Sequence, residues 1–268
     1  MAAWQPSPTI RASYAVHAGA AALALVPGQW PLALAAVAAN QAVLTWGGMW
    51  PRSTLLGANL TRLSDAAAAR REVALTIDDG PDPEVTPRVL DLLDAVGAKA
   101  SFFCIGKDVL HHAALAREMV ARGHSIENHS QHHLTFFAAL GPWQMRREIA
   151  DAQESIADTV GRAPRFFRPT AGLRNPFLDR ILADLDLRLA TWTRRPFDTR
   201  CGDPDEVVRR LTGGLAAGDL LLMHDGNSAP TAAGQPVILS ALPPFLAALQ
   251  AADLHSVTLA HAFDEVPS

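Results

Sequence analysis

From Glu72 onward the chain alternates short apolar runs with longer amphipathic ones, and that alternation restricts the fold more than any other feature. Strand candidates are Val73–Ile77, Ala100–Ile105, Ser125–Glu127, Arg165–Phe167, Leu187–Trp192, Asp219–Met223 and His255–Leu259. The helix candidates between them are Glu84–Val96, Lys107–Arg122, Pro142–Val160, Pro176–Leu185, Pro204–Ala217 and Val237–Ala252. Pro142, Pro176 and Pro204 suit a first helical turn, where a missing N–H is no loss, and Gly97, Gly123 and Gly161 suit helix ends. Such alternation means parallel strands joined by right-handed crossovers. A doubly wound sheet and a barrel both satisfy it. About seven strands without a Gly-x-Gly-x-x-Gly turn favour an α/β fold of the (β/α) barrel kind, with its site at the carboxyl ends of the strands.

The polar residues fall at those ends. The first strand runs into Asp78-Asp79-Gly80-Pro81. Two adjacent carboxylates at the tip of a buried strand are costly, because like charges raise one another's pKa and burial opposes ionisation. A metal ion, or different tasks for the two groups, removes the difficulty; an ordinary Asp-Gly-Pro turn is the plain alternative. After the third strand comes Asn128-His129-Ser130-Gln131-His132-His133. His129 and His133 are four apart, so one helical turn would aim both rings at one point. Two histidines and a carboxylate, with positions left open, is a catalytic rather than a structural metal arrangement. Alone, such a turn reads as a solvated loop; its place in register with the Asp pair favours the site. Arg168-Pro169-Thr170-Ala171-Gly172 follows the fourth strand, and Leu220–Met223 runs into His224-Asp225-Gly226. A base and an acid facing each other across a metal is what amide hydrolysis requires.

Thr76-Ile77-Asp78-Asp79-Gly80, His129-x-x-x-His133, Arg168-Pro169 after a strand and Leu221-Leu222-Met223-His224, in this order and spacing, resemble the polysaccharide deacetylases, carbohydrate esterase family four. The resemblance covers about Glu72–His261. It implies a distorted, incomplete (β/α) barrel and a divalent metal, often zinc with cobalt, nickel or manganese as alternatives, held by Asp79, His129 and His133. It further implies that Asp78 is the base acting on water, that Arg168 keeps Asp78 ionised and oriented, and that His224 is the acid protonating the departing amine. Asp198 matches the aspartate that orients that histidine. Two departures stand out. Thr170-Ala171 replaces the family's Pro-Tyr, so the Ala171 N–H could still serve an oxyanion while the aromatic wall is lost, and Thr199 stands where Trp is usual. Arg194 and Arg195 read as a solvated loop or, more sharply, as forked donors to a phosphate on the substrate.

The N-terminal region is of another kind. From Ala12 to Pro51 there is no Asp, Glu, Lys or Arg, and Pro27-Gly28-Gln29-Trp30-Pro31 divides this length into segments 14–30 and 32–50. Leu32–Trp50 is long enough to cross a ~30 Å hydrocarbon core as a helix. The simplest reading is a membrane hairpin (1–51), a connector (52–71) and a catalytic domain (72–268). Arg11, Arg52 and Arg62 flank the hairpin, so the positive-inside rule places both ends, and the catalytic domain, on the cytoplasmic side of an inner membrane. A signal peptide with cleavage near Ala33-Leu34-Ala35, or a helical pair lying on the membrane or packed as a soluble unit, are the other readings.

Residues 1–71 carry five arginines against Asp65, a net +4, so a total of −4 leaves −8 on the rest; that acidic body argues against nucleic acid as a partner. Cys104 and Cys201 have no metal-type spacing and read as inert thiols. The expected activity is removal of an N-acetyl group from an amino sugar of a polysaccharide or a lipid-linked glycan. A deformylase or other non-sugar amidohydrolase of the same family is the rival enzyme. A retired glycan-binding membrane protein is disfavoured, because base, ligands and acid are all present.

Overall fold

The computed structural model describes residues 4–264. Its central strand is β1 (Glu72–Asp78), buried over all seven residues as the apolar run Val73–Ile77 requires. β1 lies between β2 (Ala100–Cys104) and β6 (Leu220–His224). β3 (Ser125–Asn128), β4 (Phe166–Phe167) and β5 (Arg188–Leu189) continue outward from β2, and β7 (His255–Ser256) joins the start of β1. Every strand pairing is parallel. Parallel neighbours need long crossovers. Helices α3 (Asp65–Ala69), α4 (Thr86–Asp94), α5 (Gly106–His111), α6 (Ala113–Ala121), α7 (Pro142–Val160), α8 (Leu178–Asp184), α9 (Pro204–Thr212) and α10 (Val237–Ala251) occupy the stretches between and before the strands.

The expected elements are present, but the strand expected over Leu187–Trp192 is only Arg188–Leu189, the helix expected over Pro204–Ala217 stops at Thr212, and Pro176 lies before α8 rather than in its first turn. The helix expected over Lys107–Arg122 is two helices, because His112 (φ −118, ψ 42) leaves the helical region between α5 and α6. The apolar run His255–Leu259 stays extended only to Ser256, and a further helix, α11 (Leu259–Asp264), follows.

The barrel is incomplete: β5 and β6 form its two edges. Single-residue bridges from the segment before α3 close the seam, pairing Leu60 with Ala190 and Arg62 with Asp219. The Leu60 N–H donates to the Leu189 carbonyl and its own carbonyl accepts from Thr191, each at 2.9 Å. Inside, Leu75, Ile77, Phe102 and Met223 pack against Val89, Leu90 and Leu93 of α4 and Leu242 and Phe245 of α10. Each such side chain contributes about 1.5–3 kcal/mol by leaving water, which fixes the strand that carries the Asp pair.

The hairpin consists of α1 (Pro8–Ala24) and α2 (Trp30–Met49), so its helices start earlier than the expected segments 14–30 and 32–50. The reason is capping. Ser7 Oγ accepts the Ile10 N–H at 3.3 Å and Pro8 takes the first turn, where its ring is pre-set for a helix. The return is made through Gly28 at φ 81. Among the described residues α2 is the helix long and apolar enough to cross a membrane; α1, at 17 residues, is too short. The pair is apolar outside, with Tyr14, Leu32, Leu34 and Val43 exposed, and it buries Ile10, Ala20, Ala33 and Leu44 together with Ser13. Asn40 Nδ2 donates to Ser13 Oγ at 3.0 Å, and His17 Nδ1–H donates to the Ser13 carbonyl at 2.8 Å. An exposed apolar face of this kind is suited to contact with a membrane or a partner.

The hairpin is seated on the barrel. Ser7 Oγ donates to the Leu55 carbonyl at 2.7 Å and the Arg174 N–H to the Gly48 carbonyl at 3.1 Å. A Cβ at Gly48 would lie 2.1 Å from the Arg174 carbonyl oxygen, so only glycine allows this approach.

Candidate active site

Asp78 closes β1, His129 follows β3, Arg168 follows β4 and His224 closes β6, so the four strand ends bring these side chains to one mouth. A pocket of about 200 Å³ there is lined by Asp78, Asp79, His129, His133, Ala171 and His224. Arg168 and Asp198, both without solvent exposure, stand behind it. The residues expected to hold the metal, the base, the acid and their supports therefore converge, whereas Arg194 does not reach the pocket.

Arg168 is held from every side. Its Nη1 donates to Asp78 Oδ1 at 2.6 Å and to Thr76 Oγ1 at 2.9 Å. Its Nε donates to the Ala190 carbonyl at 3.0 Å, and Nη2 to the Thr191 carbonyl at 2.7 Å. The guanidinium also lies 4.0 Å from the Phe103 ring centroid. Burial lowers its pKa while Asp78 raises it, and a guanidinium stays charged throughout. Asp78 thus keeps one oxygen bound and turns the other towards the pocket.

Asp79 adopts φ 78, a left-handed conformation that Asp tolerates better than most residues. Its Oδ2 accepts from Asn227 Nδ2 at 3.0 Å. Its Oδ1 is buried and accepts no hydrogen bond, yet it lies 3.2 Å from His129 Nε2 and 3.1 Å from His133 Nε2. His129 Nδ1 is 2.6 Å from the Arg168 carbonyl, which can only accept, so the proton of a neutral ring sits on Nδ1 and Nε2 presents a lone pair. Three ligand atoms, one from each of Asp79, His129 and His133, lie within 4.8 Å of one another. An orphaned buried oxygen facing two imidazole nitrogens fits a metal cation, and the backbone-bound Nδ1 is the usual support for a ligating histidine. Burial pushes the Asp79 carboxyl up, but the close approach and charge of His129, with His224 and His133, outweigh it and hold the group far below the ordinary carboxylate range. Burial likewise opposes charge on His129, but the Asp78 and Asp79 carboxylates raise its pKa, so a proton and a metal compete for Nε2. His133 is lowered by burial and by the neighbouring His129.

The acid side is built from β6 and the loop after β5. Asp198 Oδ1 lies 2.8 Å from His224 Nδ1, and its Oδ2 accepts the His224 N–H at 2.8 Å. Burial alone would keep the imidazole neutral, but the charge and hydrogen bond of Asp198, with Asp78 and Asp79, raise its pKa to about 9. Asp225, next to His224 in the chain, is engaged elsewhere. It accepts from Thr86 Oγ1 at 2.5 Å and from the Gly226 N–H at 3.0 Å, and burial raises its pKa to about 7. Gly80 must be glycine, since a Cβ would meet the Asp225 carboxylate at 2.5 Å.

The pocket wall carries one aromatic ring among its described lining residues outside the histidines. Trp192, after β5, lines the pocket, and its ring lies 2.6 Å from where a Cβ on Gly172 would sit. Ala171 adopts φ 55 beside it, and Ser130 (φ 65) and His133 (φ 51) share that uncommon region. Strained backbone of this kind gathers at functional sites. Arg194 is not a solvated residue: its Nε donates to the buried Asp219 Oδ2 at 2.7 Å. Asn227, Thr76 and Trp192 were not legible as site residues, because each depends on which strand ends lie side by side.

The chain is similar to known proteins in sequence and in fold. The polysaccharide deacetylase family model matches residues 65–190. A peptidoglycan-N-acetylglucosamine deacetylase of Bacillus cereus is 32% identical over 158 residues, 58% of this chain and 73% of that protein. A chitooligosaccharide deacetylase of Bradyrhizobium sp. is 33% identical over 58% of this chain and 71% of its own. A solved peptidoglycan N-acetylglucosamine deacetylase, in complex with a naphthalenyl benzamide, superposes with a TM-score of 0.69 at 26% identity, covering 78% of this chain and 94% of that one.

Proposed function

We propose that this chain, which belongs to the polysaccharide deacetylase family and is a hydrolase of carbon–nitrogen bonds other than peptide bonds, removes the acetyl group from an N-acetylated amino sugar with the help of a divalent metal. The observation that carries the reading is the convergence of two separately supported carboxylate systems, Arg168–Asp78 and Asp198–His224, on either side of the Asp79–His129–His133 cluster. Asp79, His129 and His133 would hold the metal, zinc being suited to this donor set. When bound, the metal supplies Lewis-acid polarisation of the acetamide and lowers the pKa of water towards ~7.

The residues of the chain do the rest. Arg168 occupies Asp78 Oδ1, so Oδ2 is the atom that takes a proton from water. The same pairing orients Asp78 and keeps its Oδ1 off the metal. Asp198 fixes His224 through Nδ1, so Nε2–H faces the pocket and gives its proton to the departing amine. With its pKa near 9 the imidazole holds that proton at neutral pH. An amide nitrogen leaves only when protonated, so this step is obligatory. The Ala171 main chain, turned by its left-handed conformation, offers an N–H to the carbonyl oxygen as charge develops there. The substrate favoured by the attached hairpin is a lipid-linked glycan rather than a free polymer.

The test is product analysis of the full chain in detergent with N-acetylated oligosaccharides. Acetate release, reduced by roughly two to four orders of magnitude in Asp78→Asn with metal content unchanged, is the expected result. Formate from a formylated sugar in place of acetate would make it a deformylase, and turnover unaffected by Asp78→Asn would sink the assignment of the base.

A further inference from the structure

The two arginines that follow β5 have opposite fates. Arg194 is consumed internally, with Nε on Asp219 and its terminal nitrogens on the carbonyls of Gly213 and Gly214. Arg195 has no such anchor. Its Nε is buried and makes no hydrogen bond, and its guanidinium carbon lies 5.1 Å from the Trp192 ring and 5.2 Å from the Phe197 ring. The stacked rings orient a cation whose hydrogen-bonding edge is left for something else.

Arg195 and Trp192 are shared between two cavities. On one side is the catalytic pocket; on the other is a cleft of about 550 Å³. The end of α2 and the residue after it supply Trp46, Met49 and Trp50 to that cleft, and Phe197 and Arg52 complete it with no carboxylate. Trp46, Met49, Trp50 and Phe197 are each about half exposed or more. Two cations and no anion in an otherwise apolar cleft select a negative group joined to hydrocarbon. A neutral glycan could stack on the rings but would leave the Arg195 N–H groups unpaired. A free inorganic anion would leave the apolar walls wet. The catalytic pocket, at about 200 Å³, is smaller than the ~300–1,000 Å³ of sites that enclose a whole small molecule, so it takes only the reacting end.

We propose that this cleft is a lipid-phosphate subsite, occupied by an N-acetylated glycan joined to a hydrocarbon chain through phosphate. The phosphate sits on Arg195 and Arg52. The hydrocarbon runs along Trp46, Met49 and Trp50 onto the exposed apolar face of α2, and the acetamido sugar passes Trp192 into the catalytic pocket. The position of the sugar rests on the deacetylase reading; the phosphate and lipid positions do not.

Calorimetric binding of farnesyl phosphate, farnesol and inorganic phosphate to the full chain in detergent micelles tests it. Farnesyl phosphate is expected to bind at least tenfold more tightly than either farnesol or inorganic phosphate. Arg195→Gln should cost about tenfold, or ~1.4 kcal/mol. Arg195→Lys should retain more affinity than the Gln variant, and Trp50→Ala should weaken farnesyl phosphate. Equal binding of farnesol and its phosphate, equal binding of inorganic phosphate, or equal losses in Arg195→Gln and Arg195→Lys would each overturn the subsite. Because binding is read without turnover, the deacetylase assignment can fail while the subsite stands, and the reverse.

Discussion

The floor of the catalytic pocket and the cleft beside it differ in how their charges are satisfied. On the floor Arg168 has no solvent exposure and four hydrogen-bond acceptors, two of them main-chain carbonyls that no side-chain change can remove. In the cleft Arg195 is half-buried, stacked and unpaired at Nε. A fully satisfied buried cation holds one geometry, as a proton-transfer site needs. An unsatisfied one at an apolar edge is placed to be completed by a ligand. The comparison teaches that the same side chain serves chemistry or binding according to whether the fold has already used its donors.

The largest test of that difference is Arg168→Met. Removing one partner of a buried pair leaves Asp78 uncompensated, so about 3–5 kcal/mol of folding stability should go, read by urea denaturation. Arg195→Gln should change the same quantity by less than ~1 kcal/mol, as for a side chain that stacks on two rings but whose Nε makes no hydrogen bond. Comparable losses in the two variants would erase the distinction.

Next is Arg194→Gln. Asp219, without exposure, loses one of its two guanidinium partners but keeps Arg62 at 2.6 Å, so a smaller cost of about 1–3 kcal/mol is expected from denaturation curves.

Asp198→Asn probes the acid side through pH. His224 has its folded pKa raised to about 9 from the unfolded ~6.5, so its stabilising contribution is present below ~6.5 and lost as pH rises through about 9. The active, protonated form is lost over the same upper range. Asp198→Asn removes the main charge that raises it, so the basic limb of the pH–rate profile should move to lower pH. A cation on Asp79 cancels part of the same carboxylate field, which places the limb of the loaded enzyme at or below about 9. A basic limb that stays in place in Asp198→Asn would remove His224 from the acid role.

The smallest effect belongs to Ala171→Gly. Ala171 is held at φ 55, so relief of strain and the greater freedom of the unfolded glycine chain oppose each other. Relief should prevail, with a gain below ~1 kcal/mol measured by thermal unfolding.

The amino-acid sequence by itself determined the barrel class, the strand centres and the order of the site, because buried parallel strands write continuous apolar runs and the residue just past each run must face the mouth. Val73–Ile77 followed by Asp78-Asp79 is legible for that reason. It also determined that a stretch without charged residues, Ala12–Pro51, precedes the barrel. Helix ends such as Pro8 and the break at His112 were less legible, since capping and local backbone angles decide them. What only tertiary structure decided is partnership between distant stretches. Arg194 and Arg195 are adjacent and chemically identical, and nothing local says that Asp219 claims the first while Trp192 and Phe197 flank the second. Trp192 reaches the pocket wall only because the segment after β5 lies beside Gly172. Asn227 reaches Asp79 only because β6 lies next to β1. Strand neighbours are chosen by packing over the whole chain, and so the fate of each charge at the mouth is too.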